Sequence, residues 1–361
     1  MDKKILILYA SAGSGHKKAA EAIGHAFAAN ASVQMFDIVD FMPPLAKTLY
    51  TKGYILLISR LSWLWGLLYD FSDAPCFGLV NADFRKFTNA FTCRRLLAFL
   101  LKERPDVVIS TQFLASEIVS LAKEKHGLAA KLITVITDFG VHNFWLSGGT
   151  DIYCCASMAT KEILLKKGIA EDRIRVTGIP VDDKFLKALD KQELSSEFGT
   201  KTDQPTLLIA TGGIGVGPIE EMVELLKDQA QLLVVCGTNK NLTQKLQQKN
   251  HPNVKVFGFV DYMQKLMCLS DIIITKAGGL TVSECLTMGL PMIFFFLIPG
   301  QEMINAKTME AERAGLIARS TDEINDLTRK LIANKTLLTL YQQNSRSLAR
   351  PRSAAEIAGL A

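Results

Sequence analysis

Short, continuous β-branched runs separated by helical patterns are the feature that most limits what this chain can fold into. The runs fall at 5–9, 33–36, 106–110, 131–137 and 173–177, and again at 206–211, 231–236, 254–257, 271–275 and 291–295. They are apolar throughout rather than alternating, as expected of strands covered on both faces of a parallel sheet. Helical patterns at 17–29, 113–126, 219–229 and 281–288 supply the crossovers. This β-α-β grammar occurs twice, which predicts an α/β chain of two doubly wound domains. A length of 361 residues suits two cores better than one. The polar stretch 189–205, LDKQELSSEFGTKTDQP, reads as the linker between domains 1–188 and 206–342, with 343–361 as a tail. Ligands of such folds bind beyond the carboxyl ends of the strands, which puts the expected site in the cleft between two facing domains.

Charge and cysteine content exclude several classes. Lysine plus arginine number 41 against 36 acidic residues, too mild an excess for a nucleic-acid footprint. Seven cysteines (76, 93, 154, 155, 236, 268 and 285) form neither a C-x-x-C pair nor a zinc set, so reduced, buried thiols in the cytoplasm are expected. The start, MDKKILILYASAGSGH, reads as a first strand and glycine loop rather than a signal peptide, because its apolar run covers only 5–9. No stretch is built to cross a bilayer: 286–301 lacks charge but holds Pro291 and Pro299 and falls short of the ~20 residues required. The apolar run 53–69 is broken by Arg60.

The segment 41–101 departs from the β-α-β grammar. Residues 41–100 carry seven basic and three acidic side chains, a net of +4, and two of the three tryptophans, Trp63 and Trp65. Basic residues among aromatics on apolar helices suit the surface of an anionic membrane; helices packed on the first sheet are the alternative.

Five constellations carry candidate chemistry. In Ala210-Thr-Gly-Gly-Ile-Gly-Val-Gly217, a buried strand runs into glycines and Pro218 opens a helix. Such a turn lets backbone N–H groups, here around Gly212 and Gly213, approach a diphosphate. In Ile274-Thr-Lys-Ala-Gly-Gly-Leu-Thr-Val-Ser-Glu284, a second strand ends at Gly278 and Gly279. There Glu284 either closes a Thr281-x-x-Glu284 capping box or accepts hydrogen bonds from a ribose diol. Gln301, Glu302 and Asn305 follow a very apolar strand. His16, in Ser11-Ala-Gly-Ser-Gly-His16, stands where a helix begins; the helix dipole disfavours its protonated form and makes it a candidate general base. Asp138, in Ile136-Thr-Asp-Phe-Gly-Val-His-Asn-Phe-Trp145, ends another buried strand and is a second candidate. P-loop, nucleophile-elbow and HExxH motifs are absent, as is any D-x-D pair. A leaving diphosphate would then be neutralised by helix ends and N–H groups, with Lys276 beside them.

Taken together, GSGH at 13–16, TDFGVHNFW at 137–145, VTGIP at 176–180, TKAGGLTVSE at 275–284 and PGQEMINA at 299–306 resemble the processive diacylglycerol glucosyltransferases and monogalactosyldiacylglycerol synthases. These are relatives of the peptidoglycan N-acetylglucosaminyltransferase in glycosyltransferase family 28. The resemblance implies two facing Rossmann-like domains (the GT-B arrangement), a UDP-sugar donor, inversion at the anomeric carbon, and neither cofactor nor metal. It implies that Glu284 holds the ribose, that Gly278, Gly279, Leu280 and Thr281 surround the diphosphate, and that the backbone at Val260 reads uracil. Gln301, Glu302 and Asn305 would meet the donor sugar. His16 would be the base with Asp138 near the acceptor, and His142 and Trp145 would contact that acceptor. The implied activity is hexose transfer to a membrane lipid hydroxyl, diacylglycerol first, on the inner face of the cell membrane. A polyprenyl-linked or small soluble acceptor, a UDP-sugar 2-epimerase and a non-catalytic UDP-sugar sensor are the rivals.

Overall fold

The computed structural model describes residues 3–11, 13–27, 32–53, 62–73, 89 and 92–361. Twelve strands form among them: β1 (Lys4–Tyr9), β2 (Ser32–Asp37), β3 (Val107–Ser110), β4 (Lys131–Val135), β5 (Ile152–Cys155) and β6 (Ile174–Val176), then β7 (Thr206–Ala210), β8 (Gln231–Val235), β9 (Val254–Phe257), β10 (Ile272–Thr275), β11 (Met292–Phe294) and β12 (Gly315–Ile317). They build two six-stranded sheets of order β2-β1-β3-β4-β5-β6 and β12-β11-β10-β7-β8-β9, with every pairing parallel. Burial follows position in the sheet. Central strands β3, β7, β8 and β10 are buried at every residue, while the edge strands β2 and β9 are half-exposed. That is why the central runs read as uninterrupted apolar sequence.

Each sheet reverses its winding once. In the first, β1 lies between β2 and β3; in the second, β10 and β7 are neighbours although two strands, β8 and β9, separate them in the chain. Crossovers leave in opposite directions at these two points, so their loops part and open a crevice at the carboxyl ends. The segments that enter the two crevices are residues 10, 11 and 13 with Thr111 in the first sheet, and 211–218 with 276–278 in the second.

Two of the expected segments carry structure of their own. The stretch 189–205 is not a bare linker, because it holds the helix Lys191–Phe198. Asp190 caps it, its carboxylate accepting from Gln192 N at 2.7 Å and Glu193 N at 3.2 Å, and Gly199 ends it at φ +62°. The end of the chain, read as a helical or loose tail, is helical. One compact unit comprises Met1–Asp182, Pro299–Gln301 and Arg350–Ala361, and the other Asp183–Ile298 and Glu302–Ala349. The helix Ser353–Ala358 belongs to the first unit, where Ile357 is fully buried with Ile5, Ile7, Ala20 and Ile109. Ser353 Oγ donates to Gly178 O at 2.8 Å. Strands β5 and β12 also lie outside the predicted runs.

The six described cysteines are unpaired thiols, and burial pushes Cys93, Cys154 and Cys155 up to about 12, so they sit as inert apolar groups; Cys76 lies outside the described residues. No helix among the described residues is long and apolar enough to cross a membrane.

If the terminal helix completes the first core, Ile357→Ala costs about 2–5 kcal/mol. A urea titration of the full chain measures it, and an unchanged midpoint would mean that the helix is undocked in solution.

Candidate active site

In the first unit, the helix Ser14–His25 starts within one turn of β1, and His16 occupies its first turn with Gly13 as N-cap. The imidazole is fixed from the neighbouring strand ends. Its Nδ1 lies 2.7 Å from the carbonyl of Thr111, just beyond β3, and 3.1 Å from Thr137 Oγ1, just beyond β4. Thr111 Oγ1 in turn donates to His16 O at 2.9 Å. A carbonyl accepts only, so Nδ1 carries the proton and Nε2 is the basic nitrogen. Burial lowers the His16 pKa below its ordinary value; the negative charge of half-buried Asp138 and the bond to Thr111 pull the other way without prevailing. The net result is a neutral imidazole at pH 7, held in one tautomer at the winding reversal of the first sheet.

The two aromatic-loop residues expected at the acceptor are both buried. Trp145 is buried, edge-on to Phe113, with its ring centroid 6.2 Å from that of His16. His142 is buried and spends both nitrogens within the fold: Nδ1 accepts from Phe144 N at 3.1 Å, and Nε2 faces Tyr69 O at 3.1 Å and Ser72 Oγ at 3.2 Å. His142 is therefore a fixed internal group, as its stacking between Tyr69 and Phe144 also indicates.

In the second unit, the loop after β7 is tied into a cradle. Gly212 takes φ +93°, Gly215 +65° and Gly217 +127°. Gly215 N donates to Gly212 O at 3.1 Å, Thr238 N to Gly213 O at 2.9 Å, and Asn239 Nδ2 to Gly215 O at 3.1 Å. The helix that follows runs from Ile219 to Leu226, with Pro218 as its N-cap rather than its first residue. Lys276 reaches over this loop from the end of β10, its Cε 4.0 Å from where a Cβ on Gly212 would stand. Thr211 Oγ1, at the root of the loop, is buried without a hydrogen-bond partner among the described residues. Such a group is what a bound ligand would be expected to satisfy.

The helix Gly279–Met288 begins two residues before Thr281, with Gly278 as N-cap, so no Thr281-x-x-Glu284 capping box exists. Glu284 lies mid-helix and buried. A Cβ on Gly278 would meet nothing within 4 Å, which leaves open space at the helix N-terminus. Leu280 and Val260 are buried, and Thr281 is half-buried. Glu302 and Asn305 hold loops together: Ile298 N donates to Glu302 Oε2 at 2.8 Å, and Asn305 Nδ2 donates to Ala277 O at 2.9 Å. Gln301 Oε1 is buried without a partner among the described residues. Among those residues, no group of three or more His, Cys, Asp or Glu side chains is arranged to hold a metal ion.

Four contributors escaped sequence reasoning. Thr111 and Thr137 hold His16, Thr211 offers the unsatisfied hydroxyl, and Phe296 stands at φ +55° with its ring 3.5 Å from a Cβ position on Gly217. Each lies one or two residues beyond a strand, and that position is the signal that would have found them.

Two six-stranded doubly wound sheets with glycine loops at their winding reversals define the GT-B class of glycosyltransferase fold. Solved structures agree on the fold. MurG of Acinetobacter baumannii superposes with a TM-score of 0.63 at 19% identity, covering 99% of this chain and 98% of that one. The UDP-GlcNAc 2-epimerase of Neisseria meningitidis, bound to UDP-GlcNAc, gives 0.60 at 15%, covering 99% and 98%. Sequence comparison is narrower. Residues 16–181 match the family described as monogalactosyldiacylglycerol (MGDG) synthase, and 217–358 match the glycosyltransferase family 28 C-terminal domain. The processive diacylglycerol β-glucosyltransferase of Bacillus cytotoxicus is 30% identical over 98% of this chain and 92% of its own length. The probable chloroplastic monogalactosyldiacylglycerol synthase of Glycine max is 32% identical over 98% and 70%. The chain belongs to this family of diacylglycerol glycosyltransferases and MGDG synthases.

The cradle makes a direct prediction. A Cβ on Gly215 would overlap the Cys236 carbonyl oxygen in a backbone conformation that L residues avoid. Gly215→Ala is expected to destabilise the second unit by about 2 kcal/mol or more. Chemical denaturation reads the loss, and a wild-type midpoint would mean that the loop is not tied as described.

Proposed function

We propose that this protein transfers a hexose from a UDP-sugar to the free hydroxyl of diacylglycerol at the inner surface of the cell membrane, with inversion and without a metal ion. The observation that carries the reading is His16, neutral and oriented with Nε2 as its basic nitrogen by the Thr111 carbonyl. In a single displacement, the lipid hydroxyl attacks the anomeric carbon while its proton passes to Nε2. The anomeric C–O bond to the diphosphate breaks, and UDP leaves with the electron pair. The departing charge is stabilised by the N–H groups at the start of Gly279–Met288, by the glycine cradle at Gly212 and Gly213, and by Lys276. Glu284 accepts the ribose hydroxyls, the backbone at Val260 reads uracil, and Gln301, Glu302 and Asn305 border the sugar. Asp138 raises the basicity of His16 and stabilises the imidazolium formed during transfer. His142 supports the acceptor side through Tyr69 and Phe144 rather than by contact.

The lipid part of the reading rests on an apolar surface of the first unit. In the helix Ser62–Asp73, Trp63, Leu67 and Phe71 stand 63%, 60% and 57% exposed at i, i+4 and i+8, and Leu45 and Leu49 are barer still. A stripe of this kind, in a region of net positive charge, fits an anionic bilayer. Arg60, Arg85 and Lys86, which contribute to that charge, lie outside the described residues. The names of the curated relatives favour a lipid acceptor over a soluble one, and the likeness to the 2-epimerase rests on fold alone.

Two measurements test the mechanism. The base must be neutral, so kcat falls as pH drops through the His16 pKa, below about 6.5. Asp138 raises that pKa, so Asp138→Asn moves the acid limb to lower pH; a limb that stays put or moves up removes His16 as base, as does full activity in His16→Ala. Glu284→Ala is expected to raise KM for the UDP-sugar tenfold or more, about 1.4 kcal/mol, with a smaller effect on kcat. Unchanged UDP affinity by calorimetry would return Glu284 to a purely internal role.

A further inference from the structure

The last turn of Ser62–Asp73 is held by an unusual density of polar contacts, all from one short loop and one lysine. The loop is His142–Trp145. His142 Nε2 faces Tyr69 O and Ser72 Oγ, and Ser72 Oγ donates to Tyr69 O at 2.9 Å. Asn143 N donates to Asp73 Oδ1 at 2.7 Å, and Asn143 Nδ2 donates to Asp73 O at 2.9 Å. Lys167, which ends the helix Met158–Lys166, places Nζ 2.7 Å from Asn143 Oδ1 and 3.2 Å from Asp73 Oδ1.

Carbonyls at a helix C-terminus have no partners within the helix, and a carboxylate there is repelled by the dipole. The loop satisfies one of those carbonyls, that of Asp73, and Lys167 neutralises the Asp73 carboxylate. What is clamped is a helix whose opposite face exposes Trp63, Leu67 and Leu68. A helix with one apolar face in water gains nothing from that face, so its orientation depends on its other contacts: the polar ones, and the packing of Gly66 on Pro299 and of the Tyr69 ring on Gly300. The chain leading into this loop carries Thr137, which meets His16, and the loop ends at Trp145, beside the His16 ring. The lipid-facing helix and the base are thus both fixed to one stretch of nine consecutive residues, the helix at His142 and Asn143 and the base at Thr137 and Trp145.

We propose that Asp73, Asn143, Lys167 and His142 form a clamp that positions the helix Ser62–Asp73 for capture of lipid at the bilayer surface. They are positioning residues for the acceptor and do not touch it. This inference rests on the membrane reading above and adds the residues that orient the docking helix.

The test uses the full chain, with vesicles of phosphatidylcholine and phosphatidylglycerol containing diacylglycerol. Lys167→Met and Asn143→Ala are compared with wild type and with the conservative Lys167→Arg. In both disrupting variants, amides of 62–73 are expected to exchange about tenfold faster, and KM for vesicle-borne diacylglycerol to rise about fivefold or more. Affinity for UDP and kcat at saturating lipid should stay within about twofold of wild type, and Lys167→Arg should recover most of the loss. A purely structural defect would lower kcat, UDP affinity and melting temperature together, and that result overturns the proposal. Wild type that binds vesicles while both variants match it in exchange and KM also overturns the clamp. Wild type that fails to float with these vesicles ends the membrane reading itself, a failure distinguishable because amide exchange reports the clamp without lipid.

Discussion

Parallel strand pairing is the constraint from which the rest of this structure follows. With every strand pointing the same way, all strand ends of one kind share one edge, and helices must return the chain over the sheet faces. A sheet that grows from its middle must then send its crossovers in opposite directions at one place, where no helix can close the gap. Both sheets have such a place, and the chemically capable groups gather there. His16 meets Thr111 across the β1–β3 reversal, and Gly212 meets Lys276 across the β10–β7 reversal. Neither pairing requires a special fold beyond the doubly wound one; each requires only short loops with the right side chains.

The two sites solve opposite electrostatic problems with similar backbone. At His16, a helix N-terminus and burial work together to keep a side chain uncharged, and a main-chain carbonyl chooses which nitrogen holds the proton. At 211–218 and 276–279, positive-φ glycines, an unsatisfied threonine hydroxyl and an open helix start offer donors; the helix from Gly279 has no acidic side chain in its first turn, whereas the one from Ile219 has Glu220 and Glu221. The first arrangement suits proton removal, and the second suits binding an anion that gains charge as it departs.

Most of the architecture was legible because buried parallel strands impose an unmistakable apolar pattern. Ten of the runs were found, and the helix Phe113–His126 was bounded to the residue. What escaped was short or local. Strand β12 is a three-residue edge, and β5 holds four residues, so neither leaves a pattern distinguishable from loop. The helix Lys191–Phe198 buries only Leu194 and Ser195, so its cap signals, Asp190 and Gly199, were the sole clue in an otherwise polar stretch. At Glu284, spacing alone allowed two roles; a helix start two residues earlier than the pattern indicated removes the capping box. His142 was legible as a motif residue, but its bonds to Tyr69 and Ser72 cross seventy residues of chain, which no local pattern encodes.

The terminal helix has a consequence for how the molecule is made. Its Ile357 fills a hole in a core whose other members include Ile5, Ile7 and Ile109. The amino-terminal domain emerges from the ribosome first, yet its hydrophobic interior stays incomplete until the second domain has been synthesised and the returning segment arrives. During translation the half that carries the candidate base therefore waits in an unfinished, less stable form. Its maturation is tied to synthesis of the helix Ser353–Ala358, and a ribosome that stalls anywhere in the carboxyl-terminal domain leaves the first core without its final packing.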